Sequence, residues 1–246
     1  MMNRFVDRII NKLCKLYIMF HSEYYRFFNK DVRTKMKCIL SLTESNTGLT
    51  AAGQIERALP GFTRYRKARH YKYMLGRYLY SLKYIRNKAA LDCACGLGWG
   101  SFLISDYTRE LLSIDLDKNA IDFSNSTWKS AKLNFIQHSA LELDSLNRKF
   151  DVILCFELIE HLQFSDGAKL LQQANRVLAE NGLIILSSWF PGTQETGQNK
   201  GLKNEFHLHL YTKEEMRDLL ARSGFSKPRF LGSFMVIAAN GKNSKP

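Results

Sequence analysis

The sequence has no paired-cysteine pattern, no apolar run long enough to span a bilayer, no internal repeat and, between Arg57 and Lys88, no acid. Each absence closes off a class of protein. The five cysteines, Cys14, Cys38, Cys93, Cys95 and Cys155, are odd in number and irregular in spacing, which excludes a secreted disulfide scaffold and favours a reducing, cytoplasmic setting. Cys93 and Cys95 have no second pair to complete a zinc site, so they read as small buried side chains. Residues 1–20, MMNRFVDRIINKLCKLYIMF, are too often interrupted by charge to cross a membrane, and no signal-cleavage site follows them.

That segment is amphipathic instead, with Phe5, Ile9, Leu13, Leu16 and Phe20 at helical spacing and Arg4, Arg8, Lys12 and Lys15 opposite. Packing on the domain or a partner is the preferred reading of such a helix. Peripheral contact with an anionic membrane, at its inner face, is the second, and organelle targeting the third. The formal charge of +13 favours an anionic partner, whether a phosphorylated substrate, a nucleic acid or a lipid surface. Ten of the basic residues fall in the acid-free stretch, among them Arg69, Lys72, Arg77, Lys83 and Arg86, interleaved with Tyr65, Tyr71, Tyr73, Tyr78 and Tyr80. An anion-facing surface and an ordinary amphipathic helix fit that stretch equally well.

Residues 42–56, LTESNTGLTAAGQIE, are small and polar and read as a linker or lid. From Lys88 onward strand-length apolar runs alternate with helical patterns: AALDCA, a helix from about Trp99, LLSIDL, a helix from about Lys118, LNFIQH, FDVILCF, a helix ending near ANRVLAE, and GLIILSS. That alternation specifies an α/β fold with a doubly wound, mostly parallel sheet whose strands are covered on both faces. Thr212 and Glu215 have capping-box spacing, and Gly224 marks the stop of the helix they begin. FSKPRFLGSFMVIAAN then reads as an antiparallel pair at the sheet edge, broken around Gly232. The expected organisation is an amphipathic helical extension over 1–45, lid or leader helices over 46–87 and a core over 88–240.

Ligands of doubly wound sheets bind at the carboxyl ends of the strands, so the first strand-to-helix turn carries the most information. There LDCACGLGWGS places Gly96, Gly98 and Gly100 as Gly-x-Gly-x-Gly, unlike the Gly-x-Gly-x-x-Gly of a dinucleotide site. Residues without a Cβ at Gly96 and Gly98 let a ligand approach the backbone. The second strand ends in Asp115, nineteen positions beyond Gly96, where a carboxylate accepts the hydroxyls of a ribose; its neighbour Asp117 suits a helix cap.

In this order and spacing, ALDCACGLGWGS, LLSIDLD, FDVILCFELIEHL and NRVLAENGLIILSS resemble the class I S-adenosylmethionine-dependent methyltransferases over roughly residues 50–240. The resemblance implies a seven-stranded Rossmann-like sheet and S-adenosylmethionine as cofactor. It also implies that Asp92, Cys93 and the loop of Gly96, Gly98 and Gly100 hold the methionine portion, Asp115 the ribose, and Leu116, Ser139 and Ala140 the adenine, with Phe156 lining the site. Ser139 stands where many relatives have Asp, and Glu180-Asn181-Gly182 where Pro-Gly is usual. The stretch from Thr47 to Tyr78 is similar to a leader of surface-glycan methyltransferases.

Methyl transfer to a hydroxyl needs a base or a metal to handle the acceptor proton. Glu157, Glu160 and His161 have i, i+3, i+4 spacing, which places them on one face of a helical turn at the carboxyl edge. NEFHLHLY brings His207 or His209 to the same edge, with Glu205 an alternative ligand. Two carboxylates and two imidazoles suit Mg²⁺ or Mn²⁺. The pattern is similar to metal-dependent O-methyltransferases of ubiquinone biosynthesis and of small-RNA 3′ ends, whose ligand run matches Glu157, Glu160, His161 and His207. Without a metal, His161 packs the loop or acts as a base. The expected reaction is O-methylation of a small-molecule, carbohydrate or glycolipid acceptor. RNA 2′-O-methylation and a catalytically silent scaffold binding through residues 1–45 are the alternatives, while the glycine spacing disfavours a nicotinamide dehydrogenase.

Overall fold

The computed structural model describes residues 30–42, 69–190, 206–232 and 234–241. The amphipathic segment 1–20, the polar stretch 43–56, the basic residues of 57–68 and Glu205 lie outside them. Seven strands form one sheet: β1 (Ala89–Cys93), β2 (Glu110–Asp115), β3 (Leu133–Gln137), β4 (Phe150–Phe156), β5 (Leu178–Ser187), β6 (Phe225–Leu231) and β7 (Met235–Asn240), in the order β3-β2-β1-β4-β5-β7-β6. The first five are parallel. β7 inserts antiparallel between β5 and β6, leaving β6 at the edge. The doubly wound seven-stranded expectation is met.

Helices α1 (Lys30–Ser41), α2 (Arg69–Ile85), α3 (Trp99–Ile104), α4 (Lys118–Thr127), α5 (Phe164–Val177) and α6 (Lys213–Arg222) cover the sheet. Alternation along each strand divides the core in two. Ala90, Val152, Leu154 and Ile185 face a cluster with residues of α1 to α4, while Leu91, Cys93, Ile153 and Leu186 face one with residues of α5 and α6. β1 is buried along its whole length because both clusters close over it. α6 begins with the capping box of Thr212 and Glu215, at 2.9 and 2.8 Å, and Gly224 follows with φ of 84°.

Three expectations are refined. The turn Glu180-Asn181-Gly182 lies within β5: Leu178 pairs with Phe150 and Leu183 with Val152, so the intervening residues bulge out, with Asn181 at φ 59°. The basic stretch, where described, is no continuous cationic face. α2 must cover the sheet, so Tyr78, Tyr80 and even Arg77 are buried, and Lys83, Arg86 and Lys88 remain exposed. α1 packs on the core through Val32, Met36 and Ile39, while Lys35 Nζ donates to the carbonyl of Phe102 (2.7 Å) and pairs with Asp106 (2.8 Å). No helix among the described residues is long and apolar enough to cross a membrane.

Gly100, in α3, explains how α2 comes so close: a Cβ there would lie 2.1 Å from the Tyr78 ring. Gly100→Ala is therefore expected to lower stability by about 1–3 kcal/mol through overpacking. Urea denaturation measures it, and an unchanged midpoint would show that Tyr78 moves aside at no cost.

Candidate active site

The carboxyl ends of β1, β2 and β4 meet at one edge, and the candidate residues divide there into a cofactor side and an acceptor side. On the cofactor side, alternation turns Asp92 away from the second cluster and towards α2 and α3. Its Oδ2 accepts from Ser101 Oγ at 2.6 Å and Tyr78 OH at 3.2 Å, while its Oδ1, equally buried, has no hydrogen-bond partner. Burial pushes this carboxyl up to about 7; the bonds from Ser101 and Tyr78 pull it down and the Asp115 charge pushes it further up. A buried acceptor left unpaired is costly, so Oδ1 is a place for an incoming donor.

After β1 the backbone takes three left-handed residues in five, Ala94 (φ 58°), Gly96 (φ 55°) and Gly98 (φ 72°). Asp115 holds this loop to the next one: its Oδ2 accepts from Gly96 N (2.8 Å) and its Oδ1 from Asp117 N (2.9 Å). Asp117 caps α4 as expected, accepting from Asn119 N. Trp128 Nε1 donates to the Leu97 carbonyl at 2.6 Å and pins the loop from behind.

The glycines do different work. A Cβ on Gly96 would meet nothing within 4 Å, whereas one on Gly98 would lie 2.6 Å from both the Phe135 ring and Ser124 Oγ. Only Gly96 of the three opens towards ligand space; Gly98 and Gly100 allow close packing. The expectation that Gly98 clears room for a ligand is thus corrected, because α4 and β3 already fill that side.

Leu116 is 71% exposed beside Asp115, a bare apolar surface at the site's rim. Ser139 Oγ accepts from Leu141 N (3.1 Å), so the serine closes its own turn, with Ala140 half-buried beside it. The Cys93 side chain packs in the second cluster opposite Cys155, and burial pushes both thiols up, leaving them neutral core groups. Phe156 is buried edge-on to Tyr78, with ring centroids 5.0 Å apart.

On the acceptor side, Glu157 is itself left-handed (φ 52°), which breaks any helix before the 3₁₀ turn Ile159–His161. The expected common face of Glu157, Glu160 and His161 is therefore not formed. Glu157 turns instead to Arg77, with Nη1 to Oε1 at 3.1 Å, and accepts from Ser187 Oγ at 3.1 Å. Glu160, His161 and His207 do come together, with one ligand atom from each all within 4.8 Å of one another. Burial, then the Glu157 charge, pushes the Glu160 carboxyl well above its usual range, and its Oε2 has no hydrogen-bond partner. His161 Nδ1 lies 3.0 Å from the Phe206 carbonyl, which only accepts, so Nδ1 carries the proton and the ring's lone pair is on Nε2. His209 is not on the surface: its ring packs against Tyr211 (4.4 Å) and Phe164 (5.3 Å). Phe206 and Leu208, whose backbones bond His161 and Glu160, are half-exposed, as are Phe164 and Trp189.

Sequence reasoning missed Arg77 and Tyr78, which lie in the basic stretch with nothing to mark them as inward-facing. Helical phase with Leu75, Leu79 and Leu82 is an available signal for Tyr78, but not for Arg77.

A sequence model described as a methyltransferase domain matches residues 65–227. The chain is 29% identical over 144 residues to a probable S-adenosylmethionine-dependent methyltransferase of Mycobacterium tuberculosis, covering 58% of this chain and 51% of that one. It is 28% identical over 130 residues to a ubiquinone biosynthesis O-methyltransferase of Azorhizobium caulinodans, covering 52% and 49%. The chain thus spans about half the length of the curated relatives it matches. Among solved structures, the PH0226 protein of Pyrococcus horikoshii superposes with a TM-score of 0.60 at 20% identity, over 77% of this chain and 99% of that one. The YcgJ protein of Bacillus subtilis gives 0.54 at 20%, over 63% and 70%. These structures share the fold.

Asp92 generates a pH prediction. A carboxyl raised to about 7 on folding binds its proton more tightly in the native state, so the ligand-free protein loses stability as pH rises from the ordinary carboxylate range to about 7. Asp92→Asn removes that slope. The stability of wild type minus variant should fall between pH 4 and 7.5 by about 1.4 kcal/mol for each pH unit, a few kcal/mol in all, and then level off. Denaturant titrations across that range test it; a difference independent of pH would mean Asp92 stays ionised in the fold.

Proposed function

The chain belongs to the methyltransferase-domain family, and on that premise we propose that it transfers the methyl group of S-adenosylmethionine to an oxygen of a small acceptor with an apolar body, such as a lipid-linked or glycolipid intermediate. The observation that carries the cofactor half is the edge of β1 and β2, where two carboxylates flank a loop in which a Cβ on Gly96 would meet none of the described residues within 4 Å. The residues fit this cofactor. Asp92 Oδ1, buried and unpaired, suits the ammonium of the methionine portion. Asp115, fixed at the end of β2 by its bonds from Gly96 N and Asp117 N, suits the ribose hydroxyls, and exposed Leu116 offers the adenine an apolar face.

When bound, S-adenosylmethionine supplies a methyl group on an excellent leaving group, so the protein's task is alignment and the removal of water. Glu160, His161 and His207 would hold Mg²⁺ or Mn²⁺, an ion that polarises an acceptor oxygen. The unpaired Glu160 Oε2 and the fixed tautomer of His161 support that role. Glu157, held by Arg77, is not in the ligand set we propose.

Exposed Phe206 and Leu208 flank His207 in the chain and exposed Phe164 follows the turn of Glu160 and His161, and this apolar surface favours an acceptor with an apolar portion over a bare sugar or an RNA strand. The similarity to a ubiquinone biosynthesis O-methyltransferase supports the same chemistry, an oxygen on a lipid-like molecule. RNA methylation draws less support, since the described part of α2 buries Tyr78, Tyr80 and Arg77.

Two measurements test the proposal. Calorimetry should show S-adenosylmethionine binding that Asp115→Ala weakens at least tenfold, as expected for lost hydrogen bonds to a charged acceptor; no binding by folded protein would leave the silent scaffold as the reading. Mn²⁺ should bind the wild type and fail to bind His207→Ala, with EDTA abolishing methylation of lipid-linked acceptors. Equal Mn²⁺ binding by both, or methylation undiminished in EDTA, would make His161 a base in a metal-free site.

A further inference from the structure

We infer that α2 couples the two halves of the site: its adjacent buried residues Arg77 and Tyr78 are positioning residues that transmit occupancy of the cofactor side to the turn carrying Glu160 and His161. This rests on the cofactor reading above. Tyr78 OH donates to Asp92, the carboxylate that would meet the cofactor's ammonium. One residue earlier, Arg77 grips Glu157, the first residue after β4.

β1 and β4 are hydrogen-bonded neighbours, so the two gripped carboxylates stand at adjoining strand ends under one helix. Tyr78 also touches the β4 end directly, with its ring edge-on to Phe156 at 5.0 Å, the residue before Glu157. Gly100 and Trp99 complete its seat, Gly100 by lacking a Cβ and Trp99 by a ring contact at 5.3 Å. α2 therefore has little room to shift at one carboxylate without shifting at the other.

Glu157 is where such a shift would be felt. Its left-handed backbone is one that L residues with long side chains rarely adopt, and it is held there by Arg77, by Ser187 Oγ and by the bond from Glu157 N to the Ser187 carbonyl (2.9 Å). Next comes the turn whose Glu160 carbonyl accepts from both Leu208 N and His209 N, linking it to the segment that carries His207. Fixing Glu157 fixes the direction in which that turn leaves β4, and with it the spacing of Glu160, His161 and His207. Pairing at Asp92 Oδ1 would tighten Tyr78, α2 and Arg77 in sequence, preparing the acceptor side once the methyl donor is in place.

The test uses S-adenosylhomocysteine as the probe and needs no acceptor. Hydrogen exchange is followed at the amides of Glu157, His161, Leu162, Leu208 and His209 in the full chain, with and without the probe, alongside calorimetry. In wild type the probe should slow exchange at these amides about tenfold. In Arg77→Met that slowing should disappear while affinity for the probe stays within about threefold, and Arg77→Lys should restore part of it. Glu157→Gln breaks the pair from its more exposed side and should behave like Arg77→Met, and the double variant should be no worse than either single one. If Arg77→Met does not fold, Glu157→Gln alone carries the test. Slowing retained in Arg77→Met or in Glu157→Gln overturns the coupling. So does a loss of affinity greater than tenfold in Arg77→Met, which would make Arg77 a direct cofactor ligand. A wild type that binds no probe overturns the cofactor reading, and the coupling with it.

Discussion

A carboxylate buried in the middle of a sheet is the constraint around which this fold is arranged. Asp92 occupies a strand closed over by both apolar clusters, where an ionised group with an unpaired oxygen is disfavoured. The surrounding elements are placed to offset that cost. α3 brings Ser101 and α2 brings Tyr78, both donating to Oδ2, and the left-handed loop from Ala94 to Gly98 turns the chain at the end of the strand. Gly100 lacks a side chain because Tyr78 must reach Asp92 across it. A glycine that looks like part of a ligand loop in the sequence is in the structure part of the support for an acid.

Strain gathers at the same edge. Ala94 and Glu157, following β1 and β4, both adopt the left-handed conformation without being glycine. In each case surrounding bonds hold the residue there: Cys95 N bonds to the Ile114 carbonyl after Ala94, and Ser187 and Arg77 hold Glu157. Asn87 and Asn147 take the same conformation in turns, where asparagine tolerates it, and Lys227 takes it at the irregularity of edge strand β6. Ala94 and Glu157 are the two that stand at strand ends carrying the candidate chemistry.

Much of this was legible in the sequence because it depends on local pattern. Continuous apolar runs marked the parallel strands, Thr212 with Glu215 marked the start of α6, and Gly96 and Asp115 were placed at neighbouring strand ends, where the structure adds a hydrogen bond between them at 2.8 Å. What was not legible depends on backbone conformation or on distant partners. The Glu157, Glu160 and His161 spacing predicts a shared face only if the segment is helical, and one residue with φ of 52° removes that condition. Arg77 could not be told from its basic neighbours, since its acid, Glu157, lies far along the chain. Ser139, expected near the adenine, also accepts from Leu141 N, a local bond of a short polar side chain that spacing alone does not announce.

The electrostatics of the site run against those of the chain. The sequence carries a formal charge of +13, yet the site gathers four acids, Asp92, Asp115, Glu157 and Glu160, of which burial pushes Asp92 and Glu160 towards the neutral form while Arg77 pairs with Glu157. This edge is more hospitable to a cation than to an anion, and a cation bound there would favour the ionised forms of the buried acids. The edge repels a phosphate brought to the same place, unless a cation is already bound there to reverse the local sign. Phe206 and Leu208, tied by backbone bonds to His161 and Glu160, add exposed apolar surface to the same edge.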